Sequence, residues 1–122
     1  MKNPKQKLRA TADKLWYNII IQEHPICEGC GEEESIQAHH YYYKGSFGHL
    51  RYCLLNGIGL GVKCHFLLHH RDPKPIEEEI IKRRGRKWLN KLTKLSKERL
   101  TSFQTVGWYQ NKIKELEKVA EN

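Results

Sequence analysis

The residues of this chain whose types and spacing can do chemistry are the pair His39-His40, then Asn56, then His65-x3-His69. Imidazole is the side chain that titrates nearest neutral pH, and its neutral form is a good ligand for divalent cations. Six of the seven histidines fall between positions 39 and 70. A histidine pair, an amide and an H-x3-H supply a general base, an orienting group and three metal ligands, which is what metal-assisted phosphodiester hydrolysis requires. His65 and His69, four apart on an expected helix, project from one face and can reach one ion about 2 Å from each nitrogen. His70 is turned about 100° away. On a strand, His39 and His40 face opposite sides. One can then hold metal while the other stays free, since a metal-bound imidazole nitrogen cannot also accept a proton.

Elements on either side must hold these groups in place. Residues 1–7 read as a frayed basic arm, and Leu8, Ala12, Leu15, Trp16 and Ile19 recur at helical spacing up to about Gln22. Pro25 ends that helix, and His24 to Gly31 reads as a tight metal-knuckle turn around Cys27 and Cys30. Ser35 to Tyr43 is rich in strand formers. Residues 44–57 form a long loop, Ile58 to Leu60 a returning strand, and Val62 to about Arg71 a helix. Beyond Pro73 and Pro75, acids at 77–79 favour a helix start, Gly85 breaks it, and Trp88, Leu89, Leu92 and Leu95 stripe a second helix. A last helix runs from about Thr105. The expected class is α+β, a single domain over 1–122. It divides into an N-terminal helix (1–22), a knuckle and mixed core (23–72) and a basic helical extension (73–122).

Composition narrows the function. With 39% hydrophobic and 30% charged residues and no long apolar run, a membrane-spanning or secreted chain is not expected, and the expected compartment is the cytoplasm. Four cysteines there point to metal ligands or free thiols rather than disulfides. Cys27-x2-Cys30 is half of a structural zinc site. A formal charge of +8 favours a polyanionic partner, DNA in the first instance. Nine Lys/Arg stand against one acid between residues 82 and 99, so Lys82, Arg83, Arg84, Arg86 and Lys87 are candidate backbone-tracking residues. Arg51 is a candidate phosphate clamp, with a surface ion pair as its alternative.

The motifs Q-A-H-H at 37–40, L-R-Y-x3-N-G-I at 50–58 and K-C-H-F-x2-H at 63–69 resemble those of HNH endonucleases, also called ββα-metal or His-Me finger nucleases. The order H-H, N, H-x3-H is also similar to the nuclease domains of DNase colicins. A-D-K-L-W at 12–16 and Pro73 resemble flanks of small phage HNH proteins, including the NinG/Rap-type recombination proteins. The resemblance covers roughly residues 12 to 75. It implies a ββα-metal core and DNA cleavage that leaves a 5′ phosphate. It assigns His40 as general base, His39, His65 and His69 as ligands of a divalent ion, and Asn56 as the brace that holds His40 by hydrogen bonding. The ion is not specified, since imidazoles accept magnesium with water, manganese, zinc or nickel. It further implies a phage- or virus-encoded protein acting in a host cytoplasm. In such proteins a second cysteine pair, L-C-x-x-C-H, precedes the metal histidine. Here Gly61 takes its first position and Cys53 lies where relatives carry an acid. The zinc set expected is therefore Cys27, Cys30, Cys53 and Cys64. Two alternatives stand beside the nuclease: a non-catalytic zinc-stabilised module that binds DNA, and a structure-specific nuclease for branched recombination intermediates.

Overall fold

The computed structural model describes residues 2–121; the two end positions of the expected domain lie outside the described residues. Its architecture is α+β. The elements are α1 (Pro4–Glu23), β1 (Gln37–His40), β2 (Gly57–Leu60), α2 (Val62–His70), α3 (Lys74–Arg84), α4 (Arg86–Ser96) and α5 (Val106–Ala120). Two single-turn 3-10 helices, Gly48–Leu50 and Leu54–Asn56, lie between the strands. No helix among the described residues is long and apolar enough to cross a membrane.

Helix α1 starts earlier than expected, inside the segment read as a frayed arm. Asn3 accepts the Gln6 N–H at 2.8 Å, the Gln6 side chain accepts the Asn3 N–H at 2.9 Å, and Pro4 opens the first turn. This reciprocal cap satisfies two free donors, and proline there loses no helical bond. Strand β1 is shorter than Ser35–Tyr43. It pairs antiparallel with β2 in the register Gln37↔Leu60, Ala38↔Gly59, His39↔Ile58, His40↔Gly57. Past His40 the chain leaves the ladder because Asn56 takes the Tyr42 N–H and C=O. Gly85, at φ 94°, separates α3 from α4 in a conformation that side chains disfavour.

Two apolar clusters hold these elements. Ala12, Trp16, Ile19 and Ile20 of α1 pack with Tyr109 and Leu116 of α5. Ile58 and Leu60 of β2 join Cys27, Cys64, Ile80, Trp88 and Leu92 in the other. All of β2 is buried, and Gly59 is required there: a Cβ on it would lie 2.4 Å from the His24 carbonyl oxygen. A buried ion pair ties the knuckle to this core. Glu28 accepts the Gly59 N–H at 3.0 Å and pairs with Arg84, whose Nη2 lies 2.8 Å from Glu28 Oε1 and also donates to the Gly57 carbonyl. Arg84 is thus an internal strut rather than a free cation. This departs from its reading as a DNA contact, because a buried carboxylate demands a charged donor.

Candidate metal centre

Strand β1 and helix α2 bring three imidazoles together. One ligating nitrogen from each of His39, His65 and His69 lies within 4.8 Å of the others. The ring centroids are 5.5 Å apart for His39–His69, 6.4 Å for His39–His65 and 4.5 Å for His65–His69. The i,i+4 spacing on α2 stacks two rings on one face, and β1, packed against α2, supplies the third. Burial first, then the charge that protonated His69 and His65 would bring, pushes His39 down to about 4. His65 is lowered for the same reasons, burial and then His69. The lowered proton affinity of His39 and His65 leaves their lone pairs open to a cation. Neutral, convergent nitrogens at this spacing fit a single divalent ion with bonds of about 2.0–2.1 Å.

His40 stands outside that triad. Its Nε2 lies 2.9 Å from the Arg51 carbonyl oxygen. A carbonyl can only accept, so Nε2 carries the hydrogen and Nδ1 is left as the free lone pair of the neutral ring. The indole of Trp16 stacks on it, with centroids 4.0 Å apart and planes 7° from parallel, which fixes the ring plane. Burial is the main cause that lowers His40 to about 4; the Arg51 carbonyl opposes this and Lys44 adds to it. His39, His40 and His69 line one cavity of about 250 Å³, together with Pro73, Glu77 and Ile80.

The loop that carries Arg51 is fastened at several points. Fully buried Asn56 accepts the Tyr42 N–H at 2.8 Å and donates to Tyr42 O at 3.1 Å and Leu50 O at 3.4 Å. The indole N–H of Trp16 donates to Cys53 O at 3.1 Å, and that of Trp88 to Leu55 O at 2.8 Å. His49, in the same loop, is half-buried, with Nε2 3.0 Å from Leu95 O on α4. Asn56 thus ties the loop to Tyr42 and Leu50 and makes no direct bond to His40, unlike the hydrogen bond expected; the Arg51 carbonyl at the other end of the loop makes that contact instead.

Arg51 itself is not free to clamp phosphate. Its Nε and Nη2 make a fork of bonds to Asp13 at 2.8 and 2.7 Å. Burial opposes ionisation of Asp13, yet the Arg51 bonds and charge keep its carboxyl below the ordinary value. The residues missed by sequence reasoning are thus Asp13, Trp16 and Glu28. A signal existed for the first two: three apart on α1, they lie on one face and both reach the loop. Of the basic run, Lys82, Arg83, Arg86 and Lys87 are exposed and Arg84 is not.

A second cluster forms at the knuckle, where the sulfurs of Cys27, Cys30 and Cys64 lie within 4.8 Å of one another. Cys53 is not among them, contrary to the four-sulfur expectation. It precedes the Leu54–Asn56 turn with its carbonyl held by Trp16, and it lines a separate cleft with Tyr52 and Leu116. Backbone N–H groups point at the other sulfurs: Gly29 to Cys27 at 3.4 Å and Glu32 to Cys30 at 3.5 Å. The Glu33 N–H is the main cause that lowers the Cys30 thiol. Burial and the neighbouring Cys27 and Cys30 push Cys64 up to about 12. Three thiols this close resist joint ionisation unless a cation shares them, and sulfurs on a tetrahedral zinc sit about 3.8 Å apart at bonds of about 2.3 Å. The cluster can therefore bind a metal ion. No family model matches the chain, and no curated protein or solved structure matches it.

Proposed function

We propose that this chain is a metal-dependent DNA endonuclease of the HNH kind, with β1, β2 and α2 as its ββα-metal core and a structural zinc ion at the knuckle. The observation that carries the reading is the division of labour among four rings. His39, His65 and His69 converge, while His40 is excluded from them with Nε2–H committed to a backbone carbonyl and Nδ1 unspent. A divalent ion held by the three rings would supply positive charge against the scissile phosphate and the leaving oxygen. His40 takes a proton from the attacking water at Nδ1, and Trp16 and the Arg51 carbonyl keep that nitrogen aimed. A phosphodiester anion entering the cavity offsets the positive charge of Lys44 and raises the proton affinity of the ring toward the working range. Lys82, Arg83, Arg86 and Lys87 supply the exposed charge that would track the DNA backbone; Arg51 and Arg84 are spent internally.

Relaxation of supercoiled plasmid tests this. Cleavage with magnesium, manganese, zinc or nickel should be lost in His40→Ala and sharply reduced in His65→Ala. Cleavage by His40→Ala at the parent rate removes that ring as the base, and no cleavage with any of the four ions leaves the DNA-binding module as the better reading. Faster cutting of four-way junctions than of linear duplex would direct the activity to branched intermediates.

A further inference from the structure

Three thiols leave a structural zinc ion one ligand short, since such sites are closed by four protein ligands. Three residues before Cys64, where a second Cys-x2-Cys would supply the fourth, stands Gly61. The space beside it is filled. A Cβ on Gly61 would lie 2.8 Å from Glu33 Cβ and 3.4 Å from Glu33 Cδ, so the Glu33 side chain runs through the volume a residue-61 side chain would occupy. Glu33 is also part of the knuckle, for its carbonyl accepts the Cys27 N–H at 2.8 Å. Its Oε1 is buried and has no hydrogen-bond partner among the described residues. The nearby cations do not answer it: Arg84 is held by Glu28, and Arg83 faces Glu79 at 3.7 Å. A buried carboxylate oxygen without a donor is costly, and a cation is the partner that removes the cost.

We propose that Glu33 is the fourth ligand, closing a zinc site of three thiolates and one carboxylate with Cys27, Cys30 and Cys64. Carboxylate oxygen binds zinc at about 2.0–2.2 Å. The carboxylate stands outside the mutual 4.8 Å spacing of the sulfurs, and rotation about its side-chain torsions is what ligation adds. The filled site carries excess negative charge, and the Arg83 guanidinium lies against Gly31 of the same turn.

This rests on reading the three thiols as a zinc site, and the test separates the two. In the full chain carrying His65→Ala and His69→Ala, which disables the imidazole site, zinc-edge X-ray absorption should fit three sulfurs and one oxygen. Adding Glu33→Gln should weaken zinc affinity at least tenfold and shift the visible bands of the cobalt-substituted protein. Four sulfurs, an imidazole signature, or unchanged affinity and spectrum in Glu33→Gln would overturn the assignment while leaving the thiol site standing. Failure to bind zinc in any Cys27-dependent way overturns both. Should Glu33→Gln not fold, Glu33→Asp, one methylene shorter, takes its place: a weakened zinc affinity with shifted cobalt bands supports the ligand, and an unchanged affinity and spectrum overturns it.

Discussion

Replacing Asn56 tests how the loop that holds the His40 ring is braced. Asn56 is fully buried and pairs with both backbone groups of Tyr42, at 2.8 and 3.1 Å, and more weakly with Leu50 O at 3.4 Å. In Asn56→Ala the Tyr42 N–H and C=O lose their partners inside the protein. At about 1–3 kcal/mol for each orphaned group, the loss should be about 2–6 kcal/mol. Asn56→Asp keeps the acceptor for Tyr42 N–H but sets a carboxylate oxygen against two carbonyls. Burial and those carbonyls raise its folded pKa above that of the unfolded chain. Such a group stabilises below the unfolded value and loses that contribution as pH rises through the folded one. The Asp variant should therefore regain about 1–2 kcal/mol relative to the parent between pH 7.5 and pH 5. Urea unfolding followed by far-UV circular dichroism at both pH values measures this, with m-values compared to keep the two-state reading sound. A cost below about 1 kcal/mol for Asn56→Ala, or an Asp variant that tracks the parent across pH, would refute the bracing argument.

Other outcomes follow from the same geometry. Both His39 and His40 sit at about 4 against an ordinary 6.5, so the unfolded chain takes up protons first. Stability is full above about pH 6.5 and is lost as pH falls toward 4, by roughly 2–3 kcal/mol per ring; His39→Ala should flatten that slope in urea unfolding, and an unchanged slope contradicts the assignment. Arg84→Ala strips the buried Glu28 carboxylate of its guanidinium and should cost about 3–5 kcal/mol, whereas Arg83→Ala, on an exposed pair at 3.7 Å, should cost under about 1 kcal/mol. Equal thermal shifts in the two variants would count against the strut. Cys64→Ser should release the knuckle metal and lower the melting temperature, while Cys53→Ser should retain it by mass spectrometry under native conditions; loss of metal in Cys53→Ser would restore the four-sulfur set.

Local spacing makes much of this legible. H-x3-H on a helix can only put two rings on one face, and the break at Gly85 and the cap at Thr105 follow from backbone preference. Positions 39 and 40 on a short strand likewise have to face different surroundings. What spacing does not carry is the set of interactions made by tertiary approach. Arg51 is ambiguous because an arginine fork suits a phosphate and a carboxylate alike, and only the packing of α1 puts Asp13 within reach. Arg84 reads as one more cation in a basic run until Glu28 is found buried against it. Cys53 matches by residue type but sits ahead of the loop's last turn, its carbonyl fastened by Trp16. The early start of α1 is legible in Asn3, Pro4 and Gln6, a capping box that the composition of a basic arm obscures.

The proposed centre stands or falls on where a divalent ion binds. Crystals of the protein equilibrated with manganese, measured on both sides of the manganese absorption edge, locate it without recourse to activity. An anomalous peak about 2.2 Å from one nitrogen each of His39, His65 and His69, with His40 unliganded and still bonded to the Arg51 carbonyl, is the predicted result. A peak that includes His40 as a ligand, or no peak at the three rings, would contradict the proposed centre.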